Sequence, residues 1–174
     1  MAKNNSIVCA WGQARIFVGK PALDGKTITP LAKMVDIGKA EEGTTKLESS
    51  KGDTKKLTAE GGIVVAQRTA PSSYIASADF FILRGVQLPR MLKPEAGGVV
   101  SGQVSLRIVG DDAEGMGLYI PRCTVTTEMK YSGDKGILLG MTFTPQLGTA
   151  ADAQQVWFVD GDTLFDPFSV ATPA

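Results

Sequence analysis

The sequence predicts a mainly β protein, an antiparallel β-sandwich or barrel with one short flanking helix and a long projecting loop or hairpin. Short runs of β-branched and aromatic residues recur along the chain, and each has the length of a strand. The chain also contains 20 glycines and 9 prolines, which separate these runs as turns separate strands. Several runs alternate between apolar and polar residues, as half-buried strands do. We therefore expect one β-rich domain over residues 1–174, with a polar arm at 39–60.

The predicted strands follow one another at short intervals. In chain order they are residues 6–11, 15–18, 34–37, 63–69, 73–83, 102–109, 117–131, 137–144 and 156–159. Alternation is clearest in the seventh, where Cys123, Val125, Thr127 and Met129 share one face and Thr124, Thr126, Glu128 and Lys130 share the other. The glycine-containing turn 131–136 joins this strand to the next, which predicts a β-hairpin.

One further strand is predicted to have one face exposed to solvent. Ser101, Gln103, Ser105 and Arg107 alternate with Val104, Leu106 and Ile108. We expect the aliphatic side chains in the core and the polar ones in water.

Helix is scarce in the prediction. The best candidate is 86–96, where Leu88, Met91 and Leu92 have helical spacing and Gly97 could end the helix. Pro89 fits only in the first turn. A second, polar candidate is 149–155.

The segment 39–60 is unusual because it holds five lysines and five acidic residues but only two large aliphatic residues, Leu47 and Leu57. It is either a solvated surface loop or a projecting hairpin, with 44–50 and 53–58 flanking Gly52. Long segments of this kind inside a compact domain are usually functional or disordered. As a hypothesis, its subunit-interface residues are Lys46, Leu47, Lys51, Lys55, Lys56 and Leu57.

Composition argues against several function classes. Eighteen basic residues balance eighteen acidic ones, so the chain has no net field for nucleic acid or an anionic membrane. The chain has no histidine, which excludes histidine-dependent triads and HExxH zinc sites. Cys9 and Cys123 stand far apart and form no metal or redox motif, so we expect two small core residues. We predict no cofactor, no metal, no catalytic residue and no enzymatic activity.

Weaker motifs have plainer interpretations as well. Gly97-Gly98 and Gly115-Met116-Gly117 lack the sequel of a phosphate-binding loop and are interpreted as turns. The acidic residues of 111–114, and Asp160, Asp162 and Asp166, could attract calcium but lack EF-hand spacing, so we expect solvated acidic turns. Trp11, Tyr74 and Trp157 could form a sugar platform, but their apolar surroundings favour packing.

The first residues are polar, and the apolar run that follows at 7–11 is too short for a secretory signal. No stretch approaches the roughly 18 apolar residues of a membrane helix. We expect a soluble protein of cytosolic origin.

The order of these features resembles the tail tube proteins of bacteriophages and the related tube proteins of type VI secretion. The resemblance rests on the charged segment 39–60, the turn Gly61-Gly62 with the strand 63–65, the apolar strand 79–83 and the helix candidate before Gly97-Gly98. The runs 121–131 and 136–145 then look like the closing hairpin of such a subunit. The likeness covers most of the chain but includes no diagnostic motif.

The resemblance implies a structural virion protein without cofactor or catalytic residue. Its subunits would form rings of six, stacked around a passage for DNA, and would assemble in the bacterial cytoplasm into the virion tail. Its partners would be copies of itself and other tail proteins, with DNA only as passing cargo and no membrane. The alternatives are another phage neck or head-completion subunit, a monomeric β-sandwich ligand-binding module, or a small enzyme.

Overall fold

The computed structural model describes residues 13–110 and 116–168. These ranges contain eleven strands, and every strand pair is antiparallel, which confirms the mainly β prediction. The strands are β1 Ala14–Gly19, β2 Val35–Asp36, β3 Lys46–Ser50, β4 Thr54–Thr58, β5 Val64–Thr69, β6 Ser73–Phe81, β7 Val104–Gly110, β8 Gly117–Ser132, β9 Gly136–Pro145, β10 Trp157–Asp160 and β11 Thr163–Phe165. The predicted strand 6–11 lies outside the described residues.

Nine strands form one sheet in the order β2-β1-β7-β8-β9-β6-β3, with β10 and β11 attached to the start of β8. The arrangement is sandwich-like. The long strand β8 organises it, because its first part pairs with β7 and β10 and its second part pairs with β9. The strands β4 and β5 form a separate two-stranded sheet.

The main core collects the apolar residues of one face of this sheet. Its buried members are Ile16, Val18, Ile37, Ala76, Ala78, Phe80, Leu92, Val100, Val104, Leu106, Ile120, Cys123, Val125, Leu139, Met141 and Phe143. Most of them come from alternating positions in their strands, as the period of two requires. Burying a large aliphatic side chain contributes about 1.5–3 kcal/mol, so this face provides most of the driving force for folding.

A second, smaller core covers the opposite face of β1 and the start of β8. Phe17, Met34, Tyr119 and Val159 form it. We call its cover the cap, which consists of residues 20–34 together with β10 and β11. The phenol of Tyr119 holds the cap in place, because it donates to the Thr27 carbonyl oxygen at 3.0 Å and accepts from the Thr29 amide at 3.2 Å.

The prediction that β7 has one solvent-exposed face is wrong, because the cap covers that face. Ser105 and Arg107 are both 0% exposed. Arg107 donates to the Asp162 carboxylate at 2.8 Å and to the Gly161 carbonyl oxygen. Arg107 can therefore point away from the main core and still be buried, because a distant segment folds over it and accepts hydrogen bonds from both of its terminal amino groups.

The predicted helix 86–96 is reduced to a single 3-10 turn, Arg90–Leu92. Leu92, one of the apolar residues on which the helix prediction rested, is buried in the main core. Pro94 explains the difference, because proline inside a helix lacks an amide donor and clashes with the preceding turn. The chain instead turns back, and the Glu95 amide donates to the Val99 carbonyl oxygen at 2.9 Å. The candidate 149–155 forms turns rather than a helix. In the two described ranges no helix has the length and apolar character needed to cross a bilayer.

Candidate subunit interface

The most exposed element of the molecule is the hairpin formed by β4 and β5, here called the β4–β5 hairpin. Every residue from 53 to 73 is exposed to solvent. The hairpin continues the ribbon of β3 and β6, since the chain leaves the body after β3 and returns to it at the start of β6. From Asp53 to Gly61 it spans roughly 25 Å at the usual rise per residue in a strand. It contributes nothing to either core.

The hairpin predicted from 44–50 and 53–58 around Gly52 is wrong in its pairing. The strand β3 pairs with β6, from Lys46 opposite Ser77 to Ser50 opposite Ser73. The strand β4 pairs with β5, from Thr54 opposite Thr69. The turn lies instead at Gly61-Gly62, whose φ angles of 90° and 80° favour glycine.

The six predicted interface residues fall into three places. Lys46 and Leu47 belong to the body, where Lys46 is exposed on β3 and Leu47 packs against the main core. Lys51 is exposed where the chain enters the hairpin. Lys55, Lys56 and Leu57 lie on β4 of the hairpin, and Leu57 is 65% exposed. The structure therefore keeps only these last three together on the projecting element.

The sequence prediction missed the apolar residues of the return strand. Ile63, Val64 and Val65 were assigned to a strand like the others, yet they are 68%, 47% and 62% exposed. Together with Leu57 they give the outer part of the hairpin an apolar surface. The local signal was the Gly61-Gly62 turn between two runs of strand-forming residues, which is typical of a hairpin.

Basic side chains line the base of the same hairpin. Lys55 stands directly opposite Arg68. Like charges opposite each other destabilise a two-stranded sheet. The residues 51–70 carry Lys51, Lys55, Lys56 and Arg68 against Asp53 and Glu60, and none of the ion pairs among the described residues involves this hairpin. An acidic group on a partner would relieve the repulsion.

The junction with the body is tightly built. A Cβ atom on Gly52 would overlap the carbonyl of Ala70, so only glycine fits there without a shift of the backbone. The Ala70 amide donates to the Asp53 carbonyl oxygen at 2.9 Å. The hydroxyls of Thr54 and Thr69 lie 3.0 Å apart across the first pair of the hairpin. These contacts hold the two strands of the hairpin together where the chain leaves the body.

The other residues singled out in the sequence have structural surroundings. Burial raises the pKa of the Cys123 thiol to about 12, which keeps it protonated and unreactive near neutral pH. Trp157 packs against the smaller core, and its Nε1 donates to the Gly25 carbonyl oxygen at 2.8 Å. Tyr74 is half-buried on β6. Cys9, Trp11, Gly115 and the acidic run 111–114 lie outside the described residues.

The acidic turn at 160–162 is not simply solvated. The Asp162 carboxylate accepts from the Leu31 amide at 2.9 Å and from Arg107, and these two bonds, the Leu31 bond first, lower the pKa of Asp162. Within 13–110 and 116–168, no three His, Cys, Asp or Glu side chains are grouped as a metal ion would require. This carboxylate therefore joins the cap to β7.

No protein-family model matches the chain, and no curated protein matches it.

Proposed function

We propose that the chain is a structural virion protein, a self-assembling tail tube subunit that forms stacked rings around a passage for DNA. The observation that carries the proposal is the β4–β5 hairpin, which exposes Leu57, Ile63, Val64 and Val65 without any contribution to the core. An isolated two-stranded hairpin is marginally stable in water, so an apolar one benefits from a partner. A ring of identical subunits supplies that partner through head-to-tail contacts.

In this role the chain assembles in the bacterial cytoplasm, becomes part of the virion tail and has no catalytic activity. Its partners are copies of itself and other tail proteins, while DNA passes through the ring as cargo.

The test begins with the mass of the purified chain in solution and electron micrographs of the same sample. We expect rings or tubes. A second sample replaces residues 53–70 with a short glycine-serine link between Gly52 and Pro71, which removes the hairpin and leaves β3 in the body. This variant should stay folded, because none of the deleted residues belongs to either core, and should no longer form rings or tubes.

A matched control carries Leu23→Ser and Leu147→Ser, two exposed leucines outside the hairpin with 60% and 62% exposure. It should assemble like the unaltered chain. A monomeric unaltered chain would rule out the tube subunit. If that monomer melted at a higher temperature with a bound saccharide, a ligand-binding module would be favoured instead.

A further inference from the structure

The far end of β8 has an open edge, which we define as residues 128–132 on the side away from β9. Nearer its start, this side of β8 is covered. The Val100 amide donates to the Val125 carbonyl oxygen at 3.0 Å, and the Thr127 amide donates to the Gly98 carbonyl oxygen at 2.6 Å. Beyond Thr127, the described part of the chain provides no further strand on this side.

The alternating direction of backbone groups along β8 shows which amides and carbonyls point to the open side. Backbone groups of Val125 and Thr127 point to this side, and β8 keeps an unbroken register with β9 from Cys123 to Ser132. The amides and carbonyls of Met129 and Tyr131 must therefore point to the same side. No strand of the described residues pairs with them, which leaves them available to another strand.

The side chains above the open edge are apolar. Met129 and Tyr131 are each 78% exposed, and Ile137 is 46% exposed. Ile137 stands opposite Tyr131, and the Ile82 amide donates to the Ile137 carbonyl oxygen at 3.0 Å, so Ile82 continues the row. These residues extend the core face of the sheet past the end of the core. An exposed apolar patch beside a free strand edge is typical of a binding surface.

The open edge lacks the usual protection against pairing. Edge lysines normally keep other strands away. The one lysine here, Lys130, points to the opposite face, where it donates to both carboxylate oxygens of Asp79 at 3.0 and 3.1 Å. The described part of the chain therefore leaves the edge accessible.

We propose that the open edge of β8 receives the β4–β5 hairpin of a second copy of this chain. Among residues 13–110 and 116–168, neither strand of that hairpin has a partner on its outer edge, so the backbone of one can extend the sheet at Met129 and Tyr131. Its apolar residues then cover the exposed patch. The inference rests on the proposed function, because it names the surface that the hairpin of a neighbouring subunit binds.

Charge favours the hairpin as a partner of the open edge. Glu128 is exposed on the edge and takes part in none of the ion pairs among the described residues. The hairpin brings Lys55, Lys56 and Arg68, which form no ion pair with any described acidic residue, so opposite charges meet.

The test uses two variants that each keep one half of the contact. The first is the chain without residues 53–70, which retains the open edge. The second is Met129→Lys with Tyr131→Lys, which retains the hairpin and, since both residues are 78% exposed, should fold normally. Leu23→Lys with Leu147→Lys is the matched control for added charge and lost apolar surface. Self-association is measured by sedimentation.

We expect each contact variant alone to be monomeric, with self-association weakened at least about tenfold, while the control assembles normally. Mixed together, the two variants should form one-to-one dimers, because one supplies the edge and the other the hairpin. If the lysine variant assembles as the unaltered chain does, the open edge is not the acceptor, although the tube proposal stands. Dimers of the hairpin-deleted variant alone would show edge-to-edge pairing and overturn the inference. A monomeric unaltered chain would overturn both proposals.

Discussion

The two ends of β8 belong to one strand, yet they have opposite environments. At its start, Tyr119 is 0% exposed, and β8 pairs with β7 on one side and β10 on the other. At its end, Tyr131 is 78% exposed, and among the described residues only β9 pairs with the strand there. Tyr119 lies in the apolar run 118–121, whereas Tyr131 follows the alternating run 123–130. The difference teaches that a strand's own sequence sets the direction of a side chain, while other segments decide whether that side chain is covered.

The largest expected effect compares these two tyrosines directly. Tyr119→Ala should lower the free energy of unfolding by about 3–5 kcal/mol, because it leaves a cavity beneath the cap and removes the phenol bonded to Thr27 and Thr29. Tyr131→Ala should change it by no more than about 0.5 kcal/mol. Urea denaturation of the hairpin-deleted chain, in which assembly does not interfere, measures both. Equal losses of unfolding free energy in the two variants would mean that the start and the end of β8 are equally buried.

The next effect concerns the ion pair beneath the cap. Asp162→Ala should cost about 1–3 kcal/mol, because it leaves the buried guanidinium of Arg107 without its carboxylate. The loss is smaller than for a fully buried pair, since the side chain of Asp162 is 52% exposed and water screens it. Asp160→Ala, in the same turn but exposed, is the control and should have little effect. Thermal unfolding of both variants separates the effect of losing the ion pair from the effect of changing a residue in the turn.

The pH dependence of stability tests the contribution of the Asp162 carboxylate in a second way. The pKa of Asp162 is lowered in the folded chain by its bonds to the Leu31 amide and Arg107. The stabilisation from the carboxylate is therefore present above its unfolded pKa of about 3.9 and is lost as the pH falls through the lower folded pKa. The stability advantage of the unaltered chain over Asp162→Asn should narrow below about pH 4. A constant advantage from pH 7 to pH 2 would contradict this assignment.

The smallest effect on stability is expected from changes to the exposed β4–β5 hairpin. Replacing residues 53–70 with a short link should change the free energy of unfolding of the monomer by less than about 1 kcal/mol, because no buried residue is lost. Hydrogen exchange of the intact chain, measured at a concentration that keeps it monomeric, should likewise be faster in β4 and β5 than in β8 and β9. Slow exchange in the hairpin of the monomer would show that it packs on the body.

Much of the strand order follows from local patterns, since alternation and glycine placed β7, β8 and β9 within two residues of their observed bounds. The errors concern contacts between distant parts of the chain. Arg107 was expected in water because nothing near it in sequence reveals that 20–34 and β10 cover it. The apolar residues Ile63 and Val65 were expected in a strand like the others, since the hydrophobicity of a residue alone does not show whether the folded chain buries it or leaves it exposed.

The close approach of Gly52 to Ala70 separates two properties of the β4–β5 hairpin that are often linked. The pairing at the base of the hairpin depends on a missing side chain and on the backbone, whereas the proposed contact with a neighbouring subunit depends on the side chains farther out, such as Leu57 and Ile63. Substitutions near the tip should therefore change the strength of the proposed contact without disturbing the base. A side chain at position 52 should have the reverse effect, because it would force the two strands apart at the base and leave the exposed apolar side chains unchanged.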